Sequence, residues 1–126
     1  MGQGSGSVRL SMVFVVGILC FLTLTKPTFG AIYTVGGAGG WTFNVNTWTN
    51  GKSFKAGDVL AFNYDKTTHN VVSVNKRDYD SCTSPKGAKV YQTGKDRIKL
   101  AKGQNYFICS LPGHCPAGVK IAISAA

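Results

Sequence analysis

An all-β sandwich is the fold class this sequence predicts, and three observations carry the prediction. After residue 30 no stretch sustains the 3.6-residue apolar period of an amphipathic helix. Short runs rich in β-branched and aromatic residues alternate instead with Gly, Asn, Asp and Pro clusters at regular intervals. The final run, Val119–Ser124, alternates cleanly, with Val119, Ile121 and Ile123 on one face and Lys120 and Ala122 on the other.

The elements follow in chain order. Ile32–Val35 opens the domain and stops at the glycine-rich turn Gly36-Gly37-Ala38-Gly39-Gly40. Trp41–Trp48 reads as the second strand and closes at Asn50-Gly51. Asp58–Tyr64 is strongly apolar, with Leu60, Phe62 and Tyr64 on one face and Val59 and Ala61 on the other. His69–Asn75 contains Val71, Val72 and Val74, and Lys76–Ala88 reads as a long polar loop carrying Cys82 and Pro85. Arg97–Leu100 and Gln104–Cys109 flank the turn Ala101-Lys102-Gly103, and Val119–Ser124 is the last strand. There is no internal repeat.

Residues 1–30 differ in character. Arg9 supplies a positive charge, Met12–Thr25 is largely apolar, Lys26-Pro27 breaks the run, and Thr28-Phe29-Gly30 leads to a cleavage expected before Ala31. That is the layout of a secretory signal peptide. The apolar run falls short of the about 20 residues a transmembrane helix needs, which disfavours the other reading, an N-terminal anchor. The expected product is residues 31–126, a small secreted monomer with no membrane anchor, of a size that a covalent staple helps. Ile121–Ala126 is too short for a lipid-anchor signal. No Asn-x-Ser/Thr sequon occurs.

Without Arg9 and Lys26 the chain keeps 12 basic residues against five Asp and no Glu, a formal charge of +7. In a cytosolic protein that balance would suggest nucleic acid. For a secreted one it suggests an acidic cell-wall polysaccharide, an anionic membrane surface or an acidic redox partner. The plain reading is that scattered lysines keep a small domain soluble. Lys86, Lys89, Lys95, Lys99 and Lys102 are spaced singly, so there is no polybasic block.

Cys20 leaves with the leader, so three cysteines remain: Cys82, Cys109 and Cys115. An odd count in an oxidising compartment predicts one disulfide and one thiol with another task. Three pairings are open: if Cys109 ligates a metal the bridge is Cys82–Cys115, and otherwise Cys109 pairs with Cys82 or Cys115 and leaves a stray thiol. Closing the 33-residue Cys82–Cys115 loop contributes about 3–4 kcal/mol in the chain-entropy model.

The chain has two histidines, His69 and His114, and both are placed around Cys109 in the strand pattern. Cys109 ends one strand, Pro112-Gly113 makes a turn, Val119 opens the next strand, and His69 begins another. All three donors can therefore meet at one end of the sandwich. Two imidazoles and a thiolate are the equatorial set of a blue-copper electron-transfer site, one copper per chain, whose axial donor is usually a distant Met. A tetrahedral zinc site with an open position is the competing metal reading. A Cys109–His nucleophile pair has no supporting signature. Gly36–Gly40 lacks the third glycine and the helix of a dinucleotide loop. Gly51-Lys52-Ser53 lacks the earlier glycine of a phosphate-binding loop, because position 46 is Asn46.

Four motifs together resemble the phytocyanins, plant blue-copper proteins, and among them the plantacyanins or basic blue proteins. They are Val35-Gly36-Gly37 with Gly40-Trp41-Thr42, Phe54-Lys55-Ala56-Gly57-Asp58, His69-Asn70-Val71-Val72, and Tyr106-Phe107-Ile108-Cys109-Ser110-Leu111-Pro112-Gly113-His114-Cys115. The last is highly specific, and the likeness spans Ala31 to Ala126. The resemblance implies a cupredoxin Greek-key sandwich, copper held by His69, Cys109 and His114, and a Cys82–Cys115 disulfide. It also implies a small electron carrier of the extracellular matrix, not a turnover enzyme. It names no redox partner.

One position departs from the family. The axial Met, or Gln in the stellacyanin branch, falls on Val119, which has no donor atom. The expectation is a trigonal site with Val119 packed over it and a raised reduction potential, since a weak stabiliser of Cu(II) is missing. The opposing reading is a redox-silent signalling or adhesion module that acts through its basic surface, with Val119 simply filling core.

Overall fold

The computed structural model describes residues 30–126, so the expected leader, residues 1–29, lies outside the described residues. Seven strands form two sheets: β1 (Ile32–Thr34), β2 (Val59–Asn63), β3 (Val71–Val74), β4 (Lys89–Tyr91), β5 (Lys95–Lys99), β6 (Gly103–Ile108) and β7 (Lys120–Ala125). The order is β1-β2-β5 in one sheet and β4-β3-β6-β7 in the other. The chain passes between sheets after β2, β4 and β5, the interleaving of a Greek-key sandwich. β1 runs parallel to β2, every other pairing between strands is antiparallel, and an isolated parallel bridge joins Phe54 to Ala125. No helix of the described residues is long and apolar enough to cross a membrane.

Period-2 alternation sorts side chains into two cores. Val71 on β3, Phe107 on β6 and Ile121 and Ile123 on β7 turn inward to meet Leu60 and Phe62 of β2, with Val35 and Trp41. Trp41 and Phe107 each meet Phe62 edge to face, with ring centroids 5.0 and 5.3 Å apart. The neighbouring residues Val72 and Ile108 turn outward and pack with Cys115, Tyr79 and Ala88 in a second, smaller cluster.

Two expectations are corrected. Trp41–Trp48 is not a strand, although Trp41, Phe43 and Val45 alternate as a strand would. Gly40 and Asn44 take left-handed backbone angles (φ 71° and 62°), and Val45–Thr47 is a 3-10 turn. The segment instead bridges across the end of the sandwich, where Asn44 and Asn46 donate backbone bonds to the carbonyls of Ala117 and Gly118. The Lys76–Ala88 loop contains a helix, α1 (Lys76–Ser81), too short to show a period. Its N-cap is Asn75, whose Oδ1 accepts the Asp78 N–H at 2.9 Å, and Cys82 ends it in the left-handed conformation. The helix lies over the outer face of the second sheet, which is why Val72 and Ile108 are buried on that side. The short strand β4 follows, also unforeseen. Elsewhere the expected strands stand with shifted ends: β3 begins at Val71, β5 covers Lys95–Lys99, and β7 begins at Lys120.

Candidate metal centre

The three donors converge at one end of the sandwich. His69 leaves the Asp65–Thr68 turn, where Asp65 Oδ1 accepts from the Thr67 backbone N–H at 2.9 Å and Asp65 O from the His69 N–H at 3.1 Å. Cys109 follows β6, and its N–H donates to Val119 O at 2.9 Å, which ties it to the entrance of β7. His114 sits in the loop between them, where the Val119 N–H bonds to its carbonyl at 3.1 Å. Gly118 closes that loop at φ 89°, and a Cβ there would lie 2.8 Å from Asn46 Oδ1 and 2.9 Å from the Asn44 backbone, so glycine is required.

Cys109 Sγ lies 3.7 Å from His69 Nδ1 and 3.6 Å from His114 Nδ1, and the two Nδ1 atoms are 3.0 Å apart. These separations leave a common point about 2 Å from each donor, the bond length of a first-row metal to imidazole nitrogen. The donor set thus fits a metal ion in geometry as well as in chemistry. Cys109 is fully buried and is the free cysteine among the described residues. The Cys82–Cys115 disulfide is present and ties the end of α1 to the residue beside His114.

Burial is the larger cause, and the neighbouring His114 ring the second, that holds the His69 imidazole below the ordinary histidine pKa, against a smaller opposing pull from Asp65. Neutral imidazole is the form that ligates metal. His69 is buried, and His114 is half-buried, so His114 presents the more accessible ring edge.

Two further residues shape the centre and were not given a role from sequence. Asn70 is buried beside His69; its Oδ1 accepts the Ser110 N–H and its Nδ2 donates to Ser110 Oγ, both at 2.8 Å. Its carbonyl accepts Trp41 Nε1–H at 2.8 Å. The residue after His69 is thus clamped to the residue after Cys109. Phe43 lies over the site with its ring centroid 5.4 Å from His69 and 4.9 Å from His114, though it is 46% exposed. The signal for Asn70 was a polar residue next to a ligand at the edge of an apolar strand. Phe43 falls inside the Trp41–Trp48 run that the sequence reads as a strand, with no local signal that it covers a metal centre.

A sequence profile of the plastocyanin-like domain matches residues 41–119, more than half of the chain. The chain belongs to the phytocyanins. It is of the plantacyanin, or basic blue protein, type. It is 58% identical to the solved cucumber basic protein, a blue copper protein, over 76% of this chain and 100% of that one, with a TM-score of 0.75. Spinach plantacyanin matches at 60% identity, a TM-score of 0.69 and the same coverage. A chemocyanin of Lilium longiflorum is 49% identical over 126 residues, the full length of both chains. The cofactor of this phytocyanin is accordingly copper, and the two sheets are those of the cupredoxin fold.

Proposed function

We propose that this phytocyanin is a secreted single-electron carrier of the plant extracellular matrix, residues 1–30 being its leader. In this reading His69, Cys109 and His114 hold the copper and Val119 stands at the axial position without donating. The observation that carries it is the triangle of donor atoms, 3.0, 3.6 and 3.7 Å on a side, already closed around a metal-sized point. When bound, copper supplies a one-electron couple. The chain supplies the frame: Cys109 is fixed by its bond to Val119 O, the strand after His69 by Asn70, and His114 by its loop and the adjoining disulfide. A frame fixed in this way limits rearrangement between oxidation states. The half-buried His114 edge, rimmed by Leu111, exposed Pro112 and Phe43, is the route by which the electron leaves.

Val119 is wholly buried beside Cys109 in the core. A branched alkyl group gives Cu(II) no axial stabilisation, so the reduction potential stands above that of a Met-ligated relative. Voltammetry of the copper-loaded protein tests the function. A reversible one-electron couple, lost in Cys109→Ala, is the expected result, and its absence from a folded, copper-loaded protein would sink the proposal.

A second reading, adhesion through the basic surface, has one observation in its favour. Asp58, Asp78 and Asp96 are buried, which leaves Asp65 and Asp80 as the exposed acids. Lys95, Arg97 and Lys99 are exposed on one face of edge strand β5. Salt-sensitive retention on acidic wall polysaccharide that survives His114→Ala would support that reading.

A further inference from the structure

We propose that cleavage between Gly30 and Ala31 seats the newly formed α-ammonium of Ala31 on the buried carboxylate of Asp58, so that proteolytic maturation completes an ion pair the fold has prepared. The inference rests on the secretion reading above and adds to it a structural consequence of processing.

Asp58 is only 5% exposed. Its Oδ2 accepts the Lys55 backbone N–H at 2.8 Å, and its Oδ1 accepts the Ala31 backbone N–H at 3.0 Å. Among the described residues the ion pairs are Lys76–Asp80 and Arg77–Asp78, so this carboxylate has backbone donors but no side-chain cation within ion-pair distance, although Lys55 and Lys99 line the same cavity. A buried carboxylate without a counter-charge is costly, and a charge-assisted hydrogen bond is roughly twice as strong as a neutral one.

The atom that can supply the charge is already in place. Hydrolysis breaks the Gly30–Ala31 C–N bond: the oxygen of water joins the Gly30 carbonyl carbon as carboxylate, and both protons of water go to the Ala31 nitrogen. That nitrogen, 3.0 Å from Asp58 Oδ1, becomes an ammonium without having to move. An open cavity of about 770 Å³, lined by Ala31, Asp58, Lys55 and Lys99 among others, gives its remaining hydrogens access to water.

Gly30 meets two independent demands. A Cβ there would lie 2.1 Å from the Gly57 carbonyl oxygen, so only glycine lets the uncut chain enter the fold along this path. A small residue at the same position is also what leader processing requires. Ala31 is held from its other side too, because its carbonyl accepts the Val59 N–H at 2.8 Å. The anchor matters because β1 has three residues, lies at a sheet edge, and leaves Ile32 57% exposed.

The test uses the full chain expressed through a secretory route and, separately, without translocation. N-terminal sequencing of the secreted product should return Ala31. Asp58→Asn should lower the melting temperature of the processed protein by about 4–8 °C more than it lowers that of the unprocessed chain. Selective transamination of the α-amine with pyridoxal phosphate should lower the melting temperature of processed wild type, and this arm holds even if the variant fails to fold. Equal losses in processed and unprocessed forms, or no effect of transamination, would overturn the proposal. A secreted product beginning elsewhere overturns it and leaves secretion standing, whereas retention of residues 1–30 overturns both.

Discussion

Replacing Asn70 by Ala should loosen the metal centre without touching a ligand. The substitution removes the two 2.8 Å bonds between its amide and Ser110 while keeping its own carbonyl, and therefore the bond from Trp41. Two side-chain hydrogen bonds at about 0.5–1.5 kcal/mol each amount to roughly 2 kcal/mol. For a domain of this size that corresponds to a fall in melting temperature of about 8–16 °C. Thermal unfolding followed by near-ultraviolet circular dichroism, with the disulfide intact, measures it. Ser110→Ala removes only the bond from Nδ2 and should cost about half as much. The double variant should then cost little more than Asn70→Ala alone, because the two residues share one interaction. The copper spectrum of Asn70→Ala should broaden as the residues following His69 and Cys109 lose their tie. A shift below about 2 °C, with additive single and double variants, would show that the clamp does not hold the centre together.

Three more outcomes follow from the same geometry. Val119→Met should lower the reduction potential while the equatorial spectrum stays that of a thiolate-bound copper, and an unchanged or higher potential would contradict an axial role for position 119. Replacing Cys82 and Cys115 together by Ser should cost about 2–5 kcal/mol in denaturant unfolding and weaken copper retention, since the bridge adjoins His114. Tyr64 is half-buried and donates its hydroxyl to Asp96; burial first, and that bond second, push its pKa well above the ordinary value. The unfolded chain releases this proton near pH 10 and the folded chain keeps it, so its contribution is intact below pH 10 and lost as pH rises past it. Tyr64→Phe should flatten that alkaline loss in pH-dependent melting.

The centre was more legible in the sequence than the fold around it. The grouping of His69, Cys109 and His114 is legible because few side chains offer such donors and the strand pattern puts His69 and Cys109 at strand ends with His114 in the short loop that follows Cys109. The inward alternation of Val119, Ile121 and Ile123 is likewise seen directly, at 0, 0 and 1% exposure. Trp41–Trp48 reads as a strand because it is a run rich in aromatic and β-branched residues closed by Asn50-Gly51, and such a run also serves a turn segment that buries Trp41 and Val45 and leaves Phe43 outside. Its identity is set by left-handed Gly40 and Asn44 and by bonds to residues 117 and 118, which are distant in sequence. Helix α1 escaped notice because six residues with an Asn cap carry too little pattern to stand out from a polar loop. Asn70 is a matter of partner, not type: nothing local shows that its amide meets Ser110, forty residues on.

The most direct test of the central claim, that these three residues bind copper without an axial donor, is a copper titration of the oxidised protein. Visible absorption and electron paramagnetic resonance would be followed in wild type and in Cys109→Ala. The geometry predicts an intense thiolate-to-copper band that saturates at one copper per chain and disappears in Cys109→Ala. A folded protein with the Cys82–Cys115 bridge intact and no such band would contradict it and turn attention to the basic surface.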